Sequence, residues 1–311
     1  MQQIHKPLVS LILGLLVAFS ISAQAQDKQP RFLSLTPPDG LPIIPVLEGW
    51  IANADGTISF SFGTINRNKE AVDIPLGPNN YIEPAGRNGQ QPTHFPAGRS
   101  TGIFAVTVPN DQKEIDVWWH LVSSTGEDLK VPGRWGTSAY ELDFIRPRPQ
   151  GSMQPLVGIG ENGPLAAGLT AHHGPRTGGP VAVGTPVVIT VNVSDPSMRD
   201  PKDPRFGEPL DIGVEFNKWQ GPGDVEFTRH ESTIVEENPY KEDDRRFRFF
   251  REPAVNAVPV KGGAGVANVY ATFSEPGDYI ISTKVDNFSA PESSNGDQCC
   301  WSNVYQHVTV R

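Results

Sequence analysis

The chain has almost no cysteine: two residues in 311, Cys299 and Cys300, and they are neighbours. That excludes a disulfide-rich scaffold and any four-cysteine zinc or iron–sulfur site. Basic residues are the minority, 26 Lys and Arg against 35 Asp and Glu, for a net charge of −9. A chain of that sign has no general attraction for nucleic acid or anionic membrane, so nucleic acid is not expected as a partner. Helical periodicity is nearly missing. Past residue 25 no apolar run approaches the ~20 residues of a membrane span, so no integral membrane segment is expected in the mature chain. Gly-x-Ser-x-Gly, Ser-x-x-Lys and His-Glu-x-x-His do not occur, which removes the common hydrolase signatures.

What is abundant is turn chemistry. Thirty-one glycines and thirty prolines accompany a hydrophobic content of 37%. Proline breaks helix interiors and central strands, while glycine serves turns. Enough apolar side chains remain for real cores, so the expected class is all-β: short strands joined by many turns. Residues 8–21 form an apolar run broken only by Ser10, Gly14 and Ser20, followed by Ala23-Gln24-Ala25. Small residues at −3 and −1 fit signal peptidase, so residues 1–25 are expected to be a signal peptide cut after Ala25. The mature chain is then periplasmic or secreted, where thiols tend to be oxidised.

Period-2 alternation recurs along the rest. Trp50-Ile51, the turn pair Asp55-Gly56 and the run Ile58, Phe60, Phe62 predict a hairpin. Further strands are expected at 103–108, 115–122, 186–193, 211–216, 266–273, 279–285 and 303–311. Residues 66–100 read as a long polar connection. Residues 245–251, where Arg246 and Arg248 alternate with Phe247 and Phe249, read as a strand with internal ion pairs. Pro and Gly cluster over 146–164, which reads as a linker. The organisation expected is an N-terminal β-sandwich over 26–145 and a second β-sandwich over 165–311.

The second half resembles the immunoglobulin-like and PKD-like sandwiches of exported bacterial proteins. The resemblance rests on the segment from Thr272 to Ile281, with its Glu275-Pro276-Gly277-Asp278 turn, and on the Val-rich final strand. The whole chain is similar to a group of uncharacterised two-domain bacterial secreted proteins. The residues that carry this are Leu47-Glu48-Gly49-Trp50, Phe62-Gly63-Thr64-Ile65-Asn66-Arg67-Asn68, Pro92-Thr93-His94-Phe95, Gln220-Gly221-Pro222-Gly223 and Cys299-Cys300-Trp301-Ser302-Asn303. The likeness implies architecture and no activity.

The vicinal cysteines are the first candidate site. A bridge between them closes almost no loop and adds little stability. Neighbouring Cα atoms lie about 3.8 Å apart, below the usual disulfide range, so such a bridge is strained. It reads as a structural turn, as a ligand platform beside Trp301, as a redox switch, or as two thiolates for a soft metal such as Cu(I). His172-His173 sits between turn signals, in what reads as an exposed loop that could join the cysteines around a metal. His94 and Trp219 are further ligand-binding candidates, His94 in the long connection and Trp219 at a loop tip. The carboxylates from Asp195 to Asp211 suggest calcium only weakly, because the regular Asp-x-Asp-x-Asp-Gly spacing is missing.

The expected function is a non-catalytic exported binding or interaction protein, its partner a protein or a glycan. The alternatives are a metal-binding or redox-responsive protein built on Cys299-Cys300, and third, an enzyme or binding module acting on polysaccharide.

Overall fold

Alternating side chains on both flanks of Asp55-Gly56 make the first hairpin. Strand β1 (Ile43–Ala52) pairs antiparallel with β2 (Ile58–Asn66). Asp55 Oδ1 accepts the Thr57 backbone N–H at 2.9 Å and its hydroxyl at 2.7 Å, and Gly56 takes φ +84°. The computed structural model describes residues 40–142, 152–203, 209–235, 237–287 and 300–311. The expected signal peptide and Cys299 lie outside the described residues.

β2 also pairs with β6 (Gly98–Val108), which completes a three-stranded sheet. A second three-stranded sheet joins β4 (Asn80–Glu83), β7 (Val117–Val122) and β8 (Asp128–Gly133). Between them lie Phe60, Phe62, Phe104, Val106 and Trp119, all 1% exposed or less. Trp118 and Trp119 point to opposite faces as strand neighbours must: Trp119 is core, and Lys130 lies 5.2 Å over the Trp118 ring. The polar connection at 66–100 is more structured than expected. It holds β4 and the short pair β3 (Val72–Asp73) and β5 (His94–Phe95). Two-residue strands are too short for periodicity to reveal.

The second half is a larger sandwich. One sheet runs β10-β17-β16-β12-β14, formed by β10 (His172–Pro175), β12 (Ile212–Gln220), β14 (Ala257–Val260), β16 (Gly277–Asp286) and β17 (Trp301–Val310). The facing sheet runs β13-β15-β11-β9, with β9 (Leu156–Ile159), β11 (Val187–Ser194), β13 (Val225–Arg229) and β15 (Ala264–Phe273). Its core includes Ile189, Val191, Phe216, Val269, Phe273, Tyr279 and Ile281, each fully buried. The class is an all-β sandwich.

Two expectations change. The segment expected as a linker contains β9, which pairs with β11 from Leu156↔Ser194 to Ile159↔Val191. Four residues next to Gly160 are too few for alternation to stand out. Residues 245–251 form no strand. Phe247–Phe249 is a 3-10 turn, and Arg246 folds back onto Asp244 two residues away. Local ion pairing there outcompetes extension.

The outward face of the five-stranded sheet is covered by the first half. Along β16, Ile281 and Val285 enter the sandwich core while Ile280, Ser282 and Lys284 turn outward by alternation. On β17, Asn303 and Tyr305 turn the same way as those three. Loop and strand residues 73–104 of the first half close over that face. The described residues accordingly make one compact unit.

Candidate functional site

The seam between the two halves is pinned by aromatics. Phe104 of β6 meets Trp219 of β12 at 5.8 Å between ring centroids, and Trp219 meets Tyr305 of β17 at 5.2 Å. Trp219 sits at the register shift in β12, between Lys218 and Gln220, and is 4% exposed. Its expected place at a loop tip is therefore corrected: apolar contacts from the first half bury it. Hydrogen bonds cross the seam beside it. Thr93 N donates to Trp219 O at 2.9 Å, Tyr305 Oη to Ile103 O at 3.0 Å, and Asn303 Nδ2 to Gly102 O at 3.0 Å. Gln220 Nε2 donates to both Gly89 O and Gln91 O, at 3.0 and 2.7 Å.

On one side of Trp219 the seam opens into a polar cleft of about 420 Å3, within the usual size of small-molecule sites. β6 supplies Arg99, Ser100 and Thr101; β12 supplies Glu215, Asn217 and Lys218; β16 supplies Ser282 and Lys284. His94, Thr64 and Asn303 complete the polar lining. All stand on strands, which fixes them better than loops do. Thr64 is 1% exposed, and its Oγ1 is buried with no hydrogen-bond partner among the described residues. An unmade hydrogen bond at a buried hydroxyl costs about 1–3 kcal/mol.

The charges of the cleft are tied across the seam. Lys218 is 5% exposed; its Nζ donates to Gly223 O at 2.6 Å and lies 3.3 Å from both Asp73 oxygens. Asp73 also meets His94 Nδ1 at 2.8 Å. Burial alone would raise the Asp73 carboxyl, but His94 and Lys218 overcome it and hold it below its ordinary value. Glu48 of β1 is 7% exposed and faces Arg99, whose Nη2 lies 3.2 Å from each carboxylate oxygen. Here burial wins. It pushes the Glu48 carboxyl up, against the pull of Arg99 and Lys284. Gly63 lies against Glu48 so closely that a Cβ there would strike its Oε1.

Beyond Trp219 lies a second cleft of about 300 Å3, lined by Phe104, Tyr305, Ile280 and His173. His173 stacks on His307 at 4.6 Å. Burial, then the neighbouring His307, holds its imidazole below the usual histidine range.

None of the other expected site residues that the structure describes, Cys300, Trp301, His172 and His173, lines the polar cleft. His172 and His173 are not in a loop; they form β10 and register with Val304 and Tyr305. Strand neighbours face opposite ways, so the two imidazoles diverge. Their extended backbone comes from parallel pairing with β17, which no local signal announces. Cys300 is four residues before Val304, about 13 Å along a strand. Among the described residues no group of three or more His, Cys, Asp or Glu gathers as a metal site. In the acidic stretch, Asp195 is committed to Arg199 at 2.7 Å. Trp301, expected beside an open platform, is 1% exposed and packs with Ala105, Leu142 and Leu169. Of the expected ligand residues, His94 and Trp219 reach the cleft. Sequence reasoning missed Glu48, Thr64, Asp73, Arg99, Lys218 and Lys284. Their one signal was charge or polarity within strands, and that is ordinary on the outer face of a sandwich.

No protein-family model and no curated protein matches the chain. Among solved structures, the CARDB domain of PF1109 from Pyrococcus furiosus is 13% identical. The match covers 51% of this chain and 96% of that one, with a TM-score of 0.21. The D00–D0 domain of intimin is 12% identical over 86% of this chain and 99% of that one, at a TM-score of 0.24. The collagen adhesin of S. aureus is 10% identical over 88% and 94%, at 0.20.

Proposed function

We propose that the protein is an exported, non-catalytic binding protein whose ligand sits in the polar cleft at the seam. The observation that supports this most is a cleft of about 420 Å3 lined by polar side chains of both halves, among them Arg99, Asn217, Ser282 and Lys284. Donors and acceptors from both halves converge on the same space. The chemistry for turnover is half present. Asp73 orients His94, but no hydroxyl or thiol among the described residues hydrogen-bonds the other ring nitrogen. The test is a soluble saccharide and peptide panel read by titration calorimetry, repeated with Ser282→Trp, which fills the cleft. Binding lost in that variant, with the bound molecule recovered unchanged, is expected. Chemical conversion of the ligand overturns the non-catalytic reading, and binding indifferent to S282W overturns the site.

We also propose that Cys299 and Cys300 are bridged to each other. Cys300 is 2% exposed and not free, and an exported chain meets oxidising conditions. Thiol labelling of the protein unfolded without reductant is expected to find no free thiol; two labels end the idea.

A further inference from the structure

The connection between β13 and β14 is where the protein leaves large apolar side chains in water. β13 ends at Arg229 and β14 begins at Ala257, and no residue between them lines either cleft. Ile234, Val235, Phe247, Phe249 and Val255 stand on this one connection, at 38 to 64% exposure. Single exposed hydrophobics are ordinary, but a gathering of them marks a contact surface. The connection is a folded projection. Arg229 closes its base, by an ion pair with Glu252 and by Nη2 donating to Pro253 O at 2.9 Å. Higher up, Asn238 Nδ2 donates to Phe247 O at 3.0 Å, which ties the outgoing arm to the returning one.

The charges of the projection fall into two blocks. Some are engaged within the protein: Glu252 with Arg229, Asp244 with Arg246, and Glu231 with the Tyr270 hydroxyl. The others are exposed and make no ion pair among the described residues. Acids come first, Glu237, Glu242 and Asp243, with Lys241 among them; bases follow, Arg245, Arg248 and Arg251. Arg248 lies 4.8 Å over the Phe249 ring, and Arg251 holds only backbone carbonyls. An anionic bilayer or a polyanion would meet the acids together with the arginines, so neither is favoured. A surface that is partly apolar and carries both signs in separate blocks matches an inverted copy of itself. In a two-fold contact residue i meets j and j meets i, so the acidic block of each copy faces the basic block of the other.

We propose that residues 230–235 and 237–256 form a self-association surface that pairs with a second copy of this chain about a two-fold axis. Phe249 sits in the buried centre of the contact. Glu242 and Asp243 of each copy lie against Arg245 and Arg248 of the other at its rim, where charge sets register and partner choice. The surface is separate from the cleft, so it stands or falls independently of the ligand.

Sedimentation velocity on the mature chain over a concentration series tests this. A monomer–dimer equilibrium is expected, and it weakens as salt rises. Phe249→Asp is expected to weaken it by about ten-fold or more, as loss of a central anchor does. Reversing the bases (Arg245→Glu with Arg248→Glu) or the acids (Glu242→Lys with Asp243→Lys) is expected to leave each chain monomeric. An equal mixture of the two reversed chains is expected to pair again. All five positions are exposed, so these variants keep the fold, which an unchanged melting temperature checks. Monomer mass at every concentration overturns the proposal. So does a dimer indifferent to F249D, or reversed chains that stay apart when mixed. If a monomeric protein instead sediments with phosphatidylglycerol vesicles and F249D does not, the projection serves a bilayer and the second copy is ruled out.

Discussion

Gly102 shows how one missing Cβ sets the seam. Its φ is +62°, and a Cβ there would lie 2.5 to 2.8 Å from three atoms of the Trp301 indole. Both the backbone conformation and the contact exclude a larger residue. Gly102→Ala is expected to cost about 2–4 kcal/mol, since strain and overpacking add; the urea midpoint measures it. Glu48 makes a different kind of prediction. Burial raises its carboxyl above the ordinary 4.5, so the folded chain holds that proton more tightly than the unfolded chain does. The stability it contributes is present below pH 4.5 and is lost as pH rises through the raised folded value. Glu48→Gln removes that loss. Relative to the unaltered protein, the variant is expected to gain stability as pH rises above 4.5 and to level off once the raised folded value is passed; parallel stability profiles would contradict it.

Strands differ in how openly they announce themselves. β2, β11, β15, β16 and β17 were legible because six or more residues of each alternate between turn signals such as Asp55-Gly56 and Glu275-Pro276-Gly277-Asp278, whereas only Trp50-Ile51 of β1 stood out. β9 and β10 were not. They are four residues each, and long-range pairing with β11 and β17 makes them strands. Arg246 to Phe249 alternate yet do not extend, because Asp244 captures Arg246 locally. The same limit hid the cleft. His94 and Trp219 stood out as residue types, but Thr64, Arg99 and Lys284 matter only because β2, β6 and β16 bring them together. At this scale the Tyr305 hydroxyl is a clean probe, since it joins β17 to Ile103 O at 3.0 Å and burial keeps its proton in place. Tyr305→Phe is expected to lower stability by about 1 kcal/mol, the net worth of one hydrogen bond, plus part of the desolvation of the abandoned carbonyl.

The molecule as a whole should melt once. Two sandwiches on a linker would unfold separately, but Phe104, Trp219 and Tyr305 share one buried cluster across the seam. Calorimetry is expected to give one endotherm with matching calorimetric and van't Hoff enthalpies. Trp219→Ala, which empties the centre of that cluster, is expected to remove about 3–5 kcal/mol or to split the endotherm in two.

Asn303 carries the last consequence. Its carboxamide holds Gly102 O from the first half and Leu169 O from the second, and it sits on the final described strand. Domains generally take shape from the N-terminus as the ribosome delivers them. The first half can collapse early, yet the wall that its β6 loop rests on does not exist until β17 arrives. The cleft is thus a product of completed synthesis: a chain interrupted before residue 303 holds most of the lining and none of the geometry.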